Sequence, residues 1–215
     1  MPAPEIRQLL LTEFTTPDWH PLPNREMPVY GYLVIHDAGP ILIDTGVGSG
    51  NDFIAQQYRP RNSNLEELLA AEGVALREVI AVANSHLHFD HSGGNPLFEA
   101  TPIYVQRAEF EASREPRYTI PEWVMHDTLD YRLLDGDFDL AEGVRLISTP
   151  GHTPGHQSAL IETARGLEAI VAQAAEDLAD YRARVTTDPS LACIASFKPR
   201  WLHFGHDDSI DLAAT

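Results

Sequence analysis

The segment Ser85-His86-Leu87-His88-Phe89-Asp90-His91 places three imidazoles and a carboxylate in one short stretch. Both groups are good ligands for zinc and its divalent neighbours. In extended or turning backbone, residues two apart point the same way, so His86 and His88 are placed to share one ion. Asp90 and His91 follow after the chain turns and can face a second ion beside the first. Two further segments supply histidine in a similar setting. Thr149-Pro150-Gly151-His152-Thr153-Pro154-Gly155-His156 has paired Pro-Gly units that fix a tight loop and present one histidine rigidly. Trp201-Leu202-His203-Phe204-Gly205-His206-Asp207 gives an apolar strand, a glycine and then a histidine. Strand ends that each deliver histidine suit a metal centre assembled by folding, against the plainer alternative of a histidine-rich loop with no fixed metal. His20, His36 and His126 lack such a setting and read as ordinary surface or partly buried residues, while His203 falls on the strand itself and reads as packing.

The elements that must position these groups are short. Glu78 to Asn84 is an apolar, β-branched run that suits a buried strand, and Ser92-Gly93-Gly94-Asn95-Pro96 is turn chemistry. The cluster therefore lies in a loop just past a strand end, where open α/β architectures place their chemistry. Val144 to Ser148 is a second strand-like run, leading into the Pro-Gly loop. Asn64 to Gly73 reads as a short amphipathic helix with Asn64 as N-cap and Gly73 as its stop. Strand-like and helix-like runs alternate elsewhere, which suits an αβ/βα sandwich with the metal in a cleft at one edge of the sheets.

A chain of 215 residues fits a single domain spanning 1–215, with enough residues for a substantial core. No apolar run is long enough to span a membrane, and Met1 to Leu11 lacks the basic start and long apolar stretch of a secretory signal. One cysteine, Cys193, excludes an internal disulfide and points to a reducing cytoplasm. Its apolar surroundings, Leu191 to Ala195, read as those of a buried structural thiol. Acidic residues outnumber basic ones 32 to 15, which argues against a nucleic-acid phosphate backbone as ligand.

His86-x-His88-x-Asp90-His91 resembles the hallmark of metallo-β-lactamase-fold hydrolases. Pro28 to Ile35 and Ile41-Leu42-Ile43-Asp44-Thr45-Gly46 resemble that family's first strands and its Asp-Thr-Gly loop, and Gly151-His152 and Gly205-His206-Asp207 match its later histidine motifs. Within the superfamily the likeness is to the N-acyl homoserine lactonase-like branch, through His86 to Gly94, His152 to Ser158 and Phe204 to Asp207. The resemblance implies an α/β, four-layer αβ/βα sandwich with two neighbouring metal positions. His86, His88 and His152 would hold the first, and Asp90, His91 and His206 the second, binding one or two zinc ions, with iron or manganese also suited to these donors. Metal-bound hydroxide would be the nucleophile, and Asp90 would also orient it or accept its proton. Three protein ligands per ion and no thiolate describe an open, catalytic site rather than a closed structural one. Asp44 would fix the tautomer of a ligand histidine, and His156 and Asp207 would be outer partners or packing residues.

The chain departs from the family pattern in one stretch, Ala169 to Glu176. Where the family carries an aspartate bridging both metals, Gln173 stands here, a neutral and poorer bridge that makes Gln173 only a weak candidate ligand. Either the second metal is lost or weakly held, or hydroxide alone bridges, or Glu176 or Asp177 substitutes. Where the lactonases place a tyrosine three residues later, this chain has Glu176, and its nearest tyrosine there is Tyr181. The expected activity is opening of a small-molecule lactone or carboxylic ester, with acyl homoserine lactones as one substrate class. The alternatives are a glyoxalase II-like thioester hydrolase and a catalytically impaired member that binds metal or a small molecule. Trp19, Met27, Phe110 and Trp123 are candidates to line an apolar pocket, against the commoner role of such residues in the core.

Overall fold

The computed structural model describes residues 2–214. The first half forms β1 (Glu5–Thr15), β2 (Glu26–Ile35), β3 (Ile41–Ile43), α1 (Asp52–Gln57), β4 (Arg61–Asn62), α2 (Leu65–Ala71), β5 (Ala81–Ala83), α3 (Phe89–Ser92), β6 (Pro102–Gln106), α4 (Arg107–Ala112) and α5 (Pro121–Val124). The second half forms β7 (Asp130–Leu134), β8 (Phe138–Ala141), β9 (Val144–Ser148), β10 (Gln157–Thr163), β11 (Gly166–Ala172), α6 (Leu178–Arg184), α7 (Pro189–Ser196), β12 (Trp201–Phe204) and β13 (Ile210–Asp211). Two sheets result, one ordered β4-β1-β2-β3-β5-β6-β7 and the other β13-β12-β11-β10-β9-β8.

The two sheets face each other through one apolar cluster. Tyr32, Val34, Ile41 and Ile43 from the first pack with Val144, Leu146, Ile161 and Ile170 from the second. Alternation along each strand sends the intervening residues to the opposite faces. Leu33, Leu42 and Val82 pack under Leu65 and Leu69 of α2, and Leu160, Val171 and Leu202 pack under Leu191 and Ile194 of α7. Helices thus cover both outer faces, and the expected four-layer αβ/βα sandwich is what forms. β3 and β5 are buried at every residue, as parallel strands covered on both faces must be.

The helix expected from Asn64 is α2. Asn64 Oδ1 accepts from the N–H groups of Glu66 and Glu67, and Gly73 takes a φ of 77° past the end. Two expectations need correction. The strand proposed from Glu78 to Asn84 pairs only over Ala81–Ala83, because Leu76–Glu78 closes a 3-10 turn in which Glu78 accepts from the Ala75 N–H at 2.7 Å. Cys193 is exposed rather than buried. Residues on an α-helix advance by about 100° each, so the stripe set by Leu191 and Ile194 turns Cys193 away from the sheet.

Hydrogen bonds stitch the sheet ends together where the histidine loops emerge. Gln157 donates its backbone N–H to Ser85 O at 2.8 Å and its amide to Asn84 O at 2.8 Å. Tyr30 N–H donates to Gly205 O at 2.9 Å, and the buried Tyr32 hydroxyl donates to Phe204 O at 2.5 Å. These bonds hold the β5 and β12 exits in register with the opposite sheet, so the loops leaving them start from fixed points.

Candidate metal centre

Every residue singled out for metal chemistry lies just beyond a strand end on the same edge of the sandwich. His86 and His88 follow β5, Asp90 and His91 sit on the short α3, and Asp44 follows β3 in the first sheet. His152 follows β9, Gln173 follows β11 and His206 follows β12 in the second. The fold gathers two groups, His86 with His88 and His152, and Asp90 with His91 and His206, each with candidate donor atoms within 4.8 Å of one another. In the first group His86 Nε2 lies 3.1 Å from His88 Nδ1, which lies 3.2 Å from His152 Nε2. In the second, His91 Nε2 lies 3.4 Å from His206 Nε2, and Asp90 Oδ2 lies 3.6 Å and 3.4 Å from those two nitrogens. Tetrahedral zinc with nitrogen ligands at about 2.0–2.1 Å holds them about 3.3 Å apart, so the spacing fits such an ion.

The outer hydrogen bonds decide which ring nitrogen is free. Asp44 Oδ2 accepts from the Ser85 hydroxyl at 2.7 Å and from His91 Nδ1 at 2.9 Å, while Oδ1 accepts from Ser85 N–H at 2.7 Å. Having given its proton to Asp44, the Ser85 oxygen can only accept at 3.0 Å from His86 Nδ1. His206 Nδ1 donates to Pro28 O at 2.7 Å. All three rings therefore turn a lone-pair Nε2 towards the centre when neutral. Two facing lone pairs, His91 and His206, require a proton or a cation between them. Asp44 reaches this position through a left-handed backbone, φ 62°, one of the few conformations of this kind that aspartate tolerates.

Electrostatics point the same way. Burial pushes His86 well below its ordinary value, with His91, His88 and His152 adding to the effect. Burial likewise lowers His88, takes His152 to about 3 and takes His206 to about 4. These imidazoles are neutral and ready to ligate at neutral pH. At His91 the burial penalty is outweighed by Asp90 and Asp44, which raise it to about 9. At Asp90 burial works against the charged form, but the neighbouring histidines, His91 foremost, outweigh it and hold the carboxyl below its ordinary range. Each group offers three donors and no thiolate, an arrangement that leaves coordination positions open.

A cavity of about 460 Å³ opens over both groups, walled by His88, Asp90, His152, Gln173, Glu176 and His206. It shares Tyr58, Phe89, Arg117 and Tyr118 with a second, mainly apolar cavity of about 750 Å³ that also includes Trp19 and Phe53. Gln173 follows a left-handed Ala172, φ 47°, and lines the cavity over the two groups. A methyl group placed on Gly205 would lie 3.0 Å from His91 Cε1 and 3.5 Å from Gln173 Cγ, so both side chains pack close to that glycine. The Gln173 amide lies against the Glu176 carboxylate, and burial raises Glu176 above its ordinary range.

Of the residues proposed for an apolar pocket, Trp19 and Met27 line these cavities, Trp123 packs into the neighbouring core and lines a separate cavity of about 480 Å³, and Phe110 packs against that core. Tyr181 is buried under the second sheet and does not replace the missing tyrosine. His20, read as an ordinary residue, is on the cavity wall, with its Nδ1 accepting from Leu22 N–H at 3.1 Å. His156 is fully buried beneath His86, ring centroids 5.6 Å apart, and its Nε2 has no partner among the described residues. Sequence reasoning missed Tyr118, whose ring packs 5.0 Å from that of His88, and Glu109, which holds the Tyr118 hydroxyl. Neither carries a local signal, because each reaches the centre only through a long-range contact.

Comparison with known proteins places this geometry. The model of the metallo-beta-lactamase superfamily matches residues 24–167, from β2 through the His152 loop into β11 and short of Gln173 and His206. An N-acyl homoserine lactonase of a Bacillus species is 39% identical over 150 residues, covering 64% of this chain and 60% of the relative. The N-acyl homoserine lactonase AttM of Agrobacterium fabrum is 30% identical over 158 residues, covering 63% of this chain and 60% of the relative. The chain thus spans about 60% of the length of these curated relatives. A crystal structure of a B. thuringiensis AiiA mutant with N-decanoyl-L-homoserine at its active site superposes with a TM-score of 0.81 at 29% identity, over 96% of this chain and 94% of that one. Sequence match and shared architecture run through both sheets and the loops between them, and the chain belongs to the metallo-beta-lactamase superfamily.

Proposed function

We propose that this protein is a metal-dependent hydrolase that opens a lactone or related carboxylic ester, with acyl homoserine lactones as the leading substrate class. The observation that carries this reading is the pair of converging donor groups at the floor of a cavity that continues into an apolar one. The relatives named as N-acyl homoserine lactonases support the substrate class. In this reading His86, His88 and His152 hold one ion and Asp90, His91 and His206 the other. Zinc is the proposed metal, since imidazole and carboxylate without thiolate suit an open zinc site, and iron or manganese suits the same donors. When bound, such ions polarise a carbonyl and make water acidic enough to attack near neutral pH.

The chain's own residues do the rest. Asp90, an ionised carboxylate beside His91, would orient the attacking water and take its proton. Asp44 keeps Nε2 of His91 directed inward, and through Ser85 does the same for His86. The apolar cavity between Phe89, Tyr58 and Trp19 would take the acyl chain. Gln173, where a carboxylate would bridge, would supply no charge between the two positions and would hold the pair less tightly. A small-molecule substrate in a reducing compartment, rather than nucleic acid, is part of the same reading. It is supported by the formal charge of −17 and the lone cysteine. No helix among the described residues is long and apolar enough to cross a membrane.

Elemental analysis of purified protein, combined with turnover of acyl homoserine lactones, aryl esters and a glutathione thioester, tests the reading. The expected result is about one to two ions per chain and lactone or ester hydrolysis that disappears with chelation. Less than about one ion per chain with no hydrolysis would leave the impaired, binding-only member of the fold instead. Gln173→Asp sharpens the test and should raise metal retention against a chelator by about tenfold or more. An unchanged retention would remove Gln173 from the space between the ions.

A further inference from the structure

Glu109 is a buried carboxylate with no cationic side chain in contact among the described residues. Four neutral donors meet it. Leu87 N–H donates to Oε1 at 2.8 Å, the Tyr118 hydroxyl donates to the same oxygen, and Oε2 accepts from the Thr153 hydroxyl at 2.7 Å and from Gly155 N–H at 3.1 Å. Leu87 lies between His86 and His88, and Thr153 follows His152. The Tyr118 ring packs against that of His88. One carboxylate on α4 therefore grips both loops that carry the first donor group, and touches nothing from the second. The fit is close. A Cβ on Gly155 would lie 2.1 Å from Glu109 N, so only glycine lets the His152 loop approach α4 this far. Burying an anion against neutral donors is costly unless positive charge lies nearby.

We propose that Glu109 is a positioning residue for the His86, His88 and His152 position. It sets the separation of the two loops and supplies a fixed negative charge behind that ion, while the Asp90, His91 and His206 position does not depend on it. This rests on the metal-centre reading above.

The test separates the positions. His206→Ala leaves only the first donor group complete and His152→Ala only the second, and cobalt(II) binding to each is followed by its visible absorption. Adding Glu109→Gln keeps the side-chain shape but turns an acceptor into a donor. The expected result is a loss of cobalt affinity of about 10–100-fold in the His206→Ala background, with less than about threefold in the His152→Ala background. Thr153→Val removes one donor from Oε2 without disturbing the carboxylate, and should weaken only the first position, by about fivefold. If circular dichroism shows that Glu109→Gln misfolds, Thr153→Val decides alone. Equal losses in both backgrounds, or none in the first, would overturn the assignment while leaving the metal centre standing. No cobalt binding by the unsubstituted protein would overturn both.

Discussion

Two buried histidine–carboxylate clusters in this molecule look alike until their hydrogen bonds are followed to the end. On the second sheet, His203 Nε2 meets Glu168 Oε2 at 2.9 Å and Nδ1 meets the Ser209 hydroxyl at 2.7 Å. Glu168 also takes Arg165 at 2.6 Å and Thr163 at 2.5 Å, and Ser209 meets Gln8 Oε1 at 2.8 Å. Every polar atom of His203 has a partner, and the ring is wedged between Tyr32 and Trp201. In the other cluster His91 Nδ1 is similarly anchored on Asp44, but its Nε2 faces a second nitrogen that also needs something positive between them. A serine, a histidine and a carboxylate in line are no sign of chemistry when all their bonds are spent. Histidines anchored on one side and open on the other are.

The sharpest way to break this contrast is at Glu168. Glu168→Ala strands His203 and Arg165, and should cost about 3–5 kcal/mol at neutral pH without changing metal content. Burial raises the Glu168 pKa, but His203, Thr163 and Arg165 overcome it and lower the group below its ordinary range. A depressed carboxylate contributes stability above its unfolded pKa and loses it as pH falls through the folded value. The gap between wild type and variant in urea unfolding should therefore narrow on acidification, and a gap that widened would refute the ionised pair. Asp44→Asn should have the opposite profile, with cobalt affinity falling about 10–100-fold as His86 and His91 lose their tautomer, and with a smaller effect on folding. If its metal affinity were unchanged, the anchoring bond would not be what distinguishes the two clusters. The smallest effect is expected for Ser209→Ala, which removes one hydrogen bond from His203 and should cost about 1 kcal/mol in thermal unfolding, again with metal content unaffected.

The candidate ligands were legible because they are encoded locally. His86, His88, Asp90 and His91 are close in the chain, and His152 and His206 each follow a strand and a glycine. Asp44 was legible for the same reason, lying one residue past β3. Reading His203 as packing needed only its place inside β12, since a side chain there points into a sheet face. Glu109 and Tyr118 were not legible, because their roles arise where α4, the His88 loop and the His152 loop meet, and no spacing in the sequence encodes that meeting. Cys193 was misread for a reason of phase. A run that is apolar at every position, Leu191 to Ala195, fits either side of a helix, and only packing against β11 and β12 decides which side is buried. The Gln173 position was visible as a departure, but its direction depends on the left-handed turn at Ala172, which sequence does not disclose for an alanine.

Each donor group draws on both sheets, His86 and His88 with His152, Asp90 and His91 with His206. In the proposed centre the ions are therefore clasps across the seam between the two halves of the chain, and binding free energy becomes folding free energy. The second clasp closes only when β12, which carries the His206 loop, is in place. Metal supply would then govern how much of the chain matures before proteases reach it, so yield as well as activity would follow it.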